Sequence, residues 1–155
     1  MHQLIPSTFL VQEYKAVYDE IAIFHFLAEA RQYYPSFDMW YFQKVIPEIR
    51  SGKREILSEV RDGKIVAIAI LKNTSQEKKI CTLRVSEEFK NKGLGIRLFQ
   101  KAFKILQTNK PFLTVSEENL PDFQKIFDYF KFEQTAILEN YYREGKKEYI
   151  FNGKF

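Results

Sequence analysis

From Arg54 to Lys72 the chain reads REILSEVRDGKIVAIAILK, two runs of apolar and β-branched residues parted by Asp62-Gly63. An Asp-Gly pair between such runs predicts a β-hairpin with a two-residue type I′ turn, positive φ at both positions. Ile65 to Leu71 is apolar without a break, which predicts a strand covered on both faces. KKICTLRV, 78–85, alternates as a third strand, with Cys81, Leu83 and Val85 expected on one face and Thr82 and Arg84 on the other. Upstream, VYDEIAIFHFLAEARQY, 17–33, has the apolar density of a largely buried helix that stops before Pro35. MWYFQKVIPEIRSG predicts a short helix closing at Gly52, with Pro47 a candidate kink. Downstream, Leu94, Leu98, Ala102, Ile105 and Leu106 make the stripe of a helix over 93–107, with Arg97, Lys101 and Lys104 on its wet side. KPFLTVS ends in a strand near 111–116. Leu120, Phe123, Ile126, Phe127 and Phe130 fall at helical spacing, and FEQTAILENYYREGKKEYIFNG reads as a hairpin turning at Glu144-Gly145. The order is helices, three strands, helix, strand, helix, two strands. That is an α+β or mixed α/β fold with one central sheet, expected as one domain over 1–155.

Composition narrows the setting. The chain has 155 residues and a single cysteine, Cys81, so no intrachain disulfide forms and a reducing cytoplasm is the expected location. The two histidines, His2 and His25, have no partner cluster, and no metal site is expected. No apolar run reaches membrane-spanning length, and MHQLIPSTF lacks the pattern of a signal peptide. A net charge of +4 favours anionic ligands without the density of a dedicated nucleic-acid binder.

That charge is concentrated. Between residues 84 and 104 stand Arg84, Lys90, Lys92, Arg97, Lys101 and Lys104 against Glu87 and Glu88. Here a strand feeds a helix through KNKGLG, 90–95. The first N–H groups of a helix have no intrahelical partner, and with the dipole behind them they attract phosphate. Gly93 and Gly95 would let a ligand approach the backbone. Ile96-Arg97 after the second glycine excludes a P-loop, and Leu98 excludes the third glycine of a dinucleotide fingerprint. A diphosphate cradle remains.

VSEEFKNKGLGIRLFQKAF resembles the acetyl-CoA-binding motif of the GNAT superfamily of N-acetyltransferases. The hairpin before it, and FLTVS, the helix through Phe130, Lys131-Phe132 and NYYREGKKEYIF after it, resemble the rest of that domain over about 17–152. The resemblance implies a mixed, mostly antiparallel sheet flanked by helices, with the motif strand splaying from the next. It implies acetyl-CoA as co-substrate, pantetheine pairing with the backbone of Leu83, Arg84 and Val85, and pyrophosphate held by Lys90, Asn91, Lys92, Gly93, Leu94, Gly95 and Ile96. A neutral amine would attack the thioester directly, with a base taking its proton and an acid protonating the thiolate. The family's tyrosine acid falls at Phe127, which has no proton to give and is grouped with the cofactor-facing residues. Tyr129, two positions on, turns away from the apolar stripe. Lys131 replaces a usual glycine. Ser116, Glu117 and Glu77 are substitute acid or base candidates. Tyr33, Tyr34, Trp40 and Tyr41 are candidate acceptor-lining residues.

The acceptor is a small-molecule or peptide amine. A nucleic-acid-linked acceptor such as aminoacyl-tRNA is an alternative, as is a GNAT-fold module that holds acyl-CoA with little turnover. No membrane partner is expected. The edge strand of the last hairpin permits a homodimer.

Overall fold

The computed structural model describes residues 20–155; the first three residues of the helix expected over 17–33 lie outside them. Residues 20–26 form helix α1, followed by a 3-10 turn at Ala28–Gln32. Helix α2 runs through Phe37–Trp40, Tyr41–Val45 and Ile46–Arg50, and its middle segment is a π-helix. The ring of Pro47 crowds the carbonyl four residues earlier, and the wider π turn absorbs it without a break. Ile23, Phe24, Leu27, Phe37, Tyr41, Val45 and Ile46 form the apolar layer that these helices lay on the sheet.

Strands β1 (Arg54–Arg61), β2 (Lys64–Asn73) and β3 (Lys78–Val85) form an antiparallel sheet in that order. Asp62 and Gly63 both have positive φ, 52° and 75°, and close the turn as the sequence requires. In β2, Val66 to Leu71 is buried throughout. Ile68 and Ile70 pack under the N-terminal helices, while Ala69 and Leu71 pack under helix α3, Leu94–Leu106. A second sheet has the order β4 (Leu113–Ser116), β6 (Lys147–Phe151), β5 (Gln134–Glu139), again antiparallel. Helix α4, Leu120–Tyr129, joins α3 over Phe99, Phe127, Val115 and Phe151. The loop of the last hairpin is wider than a turn at Glu144-Gly145. Asn140 N–H bonds the Lys146 carbonyl, so residues 140–146 project as a loop.

The two sheets meet at one parallel contact. Phe112 N–H donates to Lys78 O at 2.9 Å, and Ile80 N–H donates to Phe112 O at 3.0 Å. Beyond Ile80 the strands part, giving the splay. At the same point β3 carries a bulge: Ile70 faces Thr82 and Leu71 faces Ile80, leaving Cys81 unpaired. An extra residue bends its strand. It also shifts the side-chain phase. Cys81 packs with Ile68 and Ile70 under the N-terminal helices, whereas Leu83 and Val85 pack with Leu94 and Leu98. The expectation that Cys81, Leu83 and Val85 share a face is therefore corrected.

Candidate active site

The free edge of β3 comes first. Ser86 N–H bonds Val66 O at 2.8 Å, which makes Ser86 and Arg84 the residues whose backbone groups face β2. By the alternation of an antiparallel ladder, the N–H and C=O groups of Leu83 and Val85 turn to the other side. That side is the gap left by β4. An extended chain with amide groups can pair there as an added strand.

The strand leads through a 3-10 turn, Glu87–Phe89, into residues 91–96. The six backbone amides of Asn91, Lys92, Gly93, Leu94, Gly95 and Ile96 find no backbone acceptor among the described residues; Arg97 N–H is the first to close a bond, to Gly93 O at 3.1 Å. Gly93 has φ +82° and caps α3, a left-handed conformation costly to other residues, and a side chain built there would meet nothing within 4 Å. A cavity of about 230 Å³ lies against it, lined by Arg61, Phe89, Lys92, Gly93, Leu94 and Arg97. Lys92 and Arg97 have no ion-pair partner among the described residues. Lys104 likewise has none, while three cations of the segment are engaged: Arg84 with Glu29 at 3.2 Å, Lys90 with Glu87 at 3.1 Å and Asp122 at 3.3 Å, and Lys101 with Glu59. Partial burial works against the Lys90 charge, but Glu87 and Asp122 outweigh it and hold its pKa above the usual lysine range.

Across the gap, the face of the second sheet toward the N-terminal helices carries a buried polar cluster. Thr114 and Ser116 on β4 face Ile150 and Glu148 on β6. Glu148 is only 4% exposed, and its Oε2 accepts the Tyr34 hydroxyl at 2.8 Å and the Thr114 hydroxyl at 2.7 Å. Burial raises the Glu148 pKa, with the two hydroxyls and Arg143 pulling the other way. Tyr142 stands edge-on to Tyr34 at 5.0 Å, and burial followed by the Glu148 charge pushes its phenol up to about 12. Arg143 clamps Glu118 through two bonds of 2.7 Å and lies 5.5 Å from the centre of the Tyr33 ring. The Arg143 bonds hold the Glu118 carboxyl down at about 2.

A family model described as the acetyltransferase (GNAT) family matches residues 14–124. The chain belongs to the GNAT acetyltransferase family. Among solved structures, it is similar to a GNAT family acetyltransferase from Bacillus cereus ATCC 10987, at 24% identity over 76% of this chain and 80% of that one, TM-score 0.58. It is also similar to the ribosomal-protein-S18-alanine N-acetyltransferase from Escherichia coli, at 19% identity over 68% and 73%, TM-score 0.55. A third is a GNAT family acetyltransferase from Elizabethkingia anophelis with acetyl-CoA bound, at 16% identity over 70% and 80%, TM-score 0.54. These likenesses carry the fold. No curated protein matches the sequence.

Within this GNAT fold the expected site residues separate. Leu83 and Val85 turn their backbone groups to the gap and Asn91 to Ile96 keep open amides, whereas the backbone of Arg84 faces β2, the Lys90 N–H is bonded to Glu87 O and the Lys90 side chain ties the loop to α4. Gly95 has a packing reason to be glycine: a Cβ there would lie 3.0 Å from Ile126 Cδ1 of α4. Phe127 lies in the core. It is 2% exposed and enclosed by Phe99, Phe123, Phe132 and Phe151, a core residue with no surface for a cofactor. Tyr129 is 64% exposed, off the apolar stripe as expected.

Of the acid and base candidates, Ser116 joins the polar cluster. Its Oγ is fully buried with no hydrogen-bond partner among the described residues. Glu117 is engaged otherwise, its carboxylate accepting Lys147 N–H at 2.7 Å. Glu77 is corrected. It stands in the loop before β3, at the closed end of the gap, paired to Lys72 at 2.9 Å; Lys72 lowers its pKa against the opposing effect of burial. Of the aromatics, Tyr33 and Tyr34 reach the cluster. Tyr41 is 0% exposed with its hydroxyl on Glu20 O at 2.6 Å, and Trp40 packs on Phe37 and Arg54, so both belong to the N-terminal core.

Sequence reasoning missed Glu148, Thr114, Tyr142 and Arg61. Glu148 had a signal: an acid inside KKEYIF, at the same strand phase as Ile150. Arg61 reaches the cradle from a hairpin 30 residues away in sequence, with no local signal.

Proposed function

We infer that this protein is an acetyl-CoA-dependent N-acyltransferase that works by direct attack of an amine in a ternary complex. The observation that carries the reading is the continuity of the free β3 edge with the six open amides of 91–96. One surface offers strand-like pairing to an amide-bearing arm and then donors to a diphosphate, which is the chemistry of coenzyme A. Gly93 keeps the backbone open there, and Lys92, Arg97 and Arg61 add charge without blocking it. When bound, acetyl-CoA supplies the acyl group as an activated thioester.

The chain's own residues do the rest. Leu83 and Val85 position the donor through backbone groups and present N–H donors where carbonyl charge develops. Tyr33, Tyr34 and Tyr142 flank the amine side. An alanine-acetylating GNAT protein among the structural relatives makes a peptide amine a natural candidate acceptor. The cytoplasm is the proposed location, and residues 1–155 are proposed to act as one domain.

A thiol-release assay with acetyl-CoA tests the reading, using an amine panel of free-N-terminus peptides and polyamines. Amine-dependent release is the expected result. Tight acetyl-CoA binding without release on any amine would favour the second reading, a binding module, which the absence of a tyrosine at 127 supports.

A further inference from the structure

The buried carboxylate of Glu148 is arranged asymmetrically. Oε2 takes both hydroxyl donors, Tyr34 and Thr114. Oε1 takes none among the described residues. Ser116, directly opposite Glu148 in the strand register, adds the unpartnered buried hydroxyl on the same face. Thr114 and Ser116 lie on β4 just past Phe112, where β4 last pairs with β3, so the cluster sits on the strand across the gap from the free edge of β3. Most buried polar atoms have a hydrogen-bond partner. Among the described residues, this carboxylate has Oε2 fixed by two donors and Oε1 with none.

We propose that Glu148 takes the proton from the acceptor amine through Oε1, with Tyr34 and Thr114 as positioning residues that hold Oε2. The proposal rests on the acyltransferase reading. The amine lone pair forms the new N–C bond to the acyl carbon. The C–S bond breaks with its electron pair going to sulfur, and the sulfur takes a proton from water. The amine N–H bond breaks with its pair staying on nitrogen, and that proton goes to Glu148 Oε1. The rings of Tyr33, Tyr34 and Tyr142 suit an amine that arrives as an ammonium ion and gives its first proton to solvent before the neutral amine attacks. The titratable and charged groups facing Glu148 are Tyr34 from the N-terminal segment, Tyr142 and Arg143 from the 140–146 loop, and Glu118 after β4. Burial and the Glu148 charge hold the Tyr34 phenol neutral, and Arg143 is committed to Glu118. Glu148 is thus the group of the cluster whose charge changes in the acid range.

The test compares wild type with Glu148→Gln, Tyr34→Phe and Thr114→Val. Acetyl-CoA affinity is read by calorimetry and kcat/KM as a function of pH, with a polyamine and a free-N-terminus peptide as acceptors. Glu148→Gln is expected to keep acetyl-CoA affinity, to lose about 100-fold or more in kcat/KM, and to lose the acid limb of the wild-type profile. Tyr34→Phe and Thr114→Val each remove a hydrogen bond that favours the charged carboxylate, so each moves the acid limb to higher pH. A purely structural Glu148 would leave the limb in place. Glu148→Gln with a wild-type limb overturns this assignment and leaves the acyltransferase reading standing. A wild type that binds no acetyl-CoA, or binds it and acetylates neither acceptor, overturns both.

Discussion

Ile80 N–H donates to Phe112 O at 3.0 Å, and it is the last hydrogen bond between the two sheets. One residue later, Cys81 bulges out of β3 and the strands separate. The gap that defines the site therefore begins at a register irregularity written into a single strand.

Gly93 is the position at which phosphate binding and backbone conformation can be separated. Asn and Asp are nearly equal in size and both tolerate positive φ. Nothing lies within 4 Å of a Cβ at 93, so both variants should fold. Gly93→Asp is expected to abolish coenzyme A binding and Gly93→Asn to weaken it less, as measured by titration. Equal affinities for the two variants would mean that no phosphate sits at 93.

Phe127→Tyr restores the family's hydroxyl at a place where it has no partner. The ring is enclosed by aromatics and 2% exposed, so a buried, unpaired hydroxyl should destabilise by about 1–3 kcal/mol and leave the rate no higher. A rate increase in that variant would show that 127 faces the reacting sulfur after all.

Lys131 has φ 57° directly after α4, where Phe132 N–H returns to Phe127 O at 2.9 Å and Lys131 N–H to Asp128 O at 3.1 Å. That is a Schellman closure, which favours glycine. Lys131→Gly should stabilise by up to about 1 kcal/mol in denaturant melts. Destabilisation would mean that the lysine side chain contributes contacts beyond its backbone.

The two acids near the gap should respond oppositely to pH. The Glu118 pKa is lowered to about 2, chiefly by its hydrogen bonds from Arg143. Its stabilisation is present above the ordinary carboxylate pKa and is lost as pH falls below it through the folded value of about 2. At 31% exposure, Glu118→Gln should cost on the order of 1 kcal/mol at neutral pH and nothing in strong acid. The Glu148 pKa is raised by burial, so its contribution is full below the ordinary carboxylate pKa and is lost as pH rises through the folded value. Glu148→Gln should therefore melt higher than wild type at neutral pH, with the difference shrinking in acid. Parallel behaviour of the two variants would contradict the assigned shifts.

The hairpin, the strand phase of β2 and the strand-to-helix junction were legible because each is local. Asp62-Gly63 sets its own turn, and Leu94, Leu98, Ala102 and Leu106 mark their own helix face. The bulge at Cys81 was not legible, since alternation in KKICTLRV looks unbroken and only pairing with Ile70 and Leu71 exposes the extra residue. The amide track was readable from KNKGLG, but the local charge excess overstated the free cations, because Glu29, Asp122 and Glu59 come from distant elements. The polar cluster escaped for the same reason. Tyr34 and Glu148 meet across 114 residues of chain, and no local pattern encodes that meeting.

The central claim is that the β3 edge and the amides of 91–96 hold coenzyme A. Calorimetric titration of the wild type with acetyl-CoA and with free CoA tests it most directly. The account predicts 1:1 binding of both in the micromolar range, and absence of binding by either would contradict it.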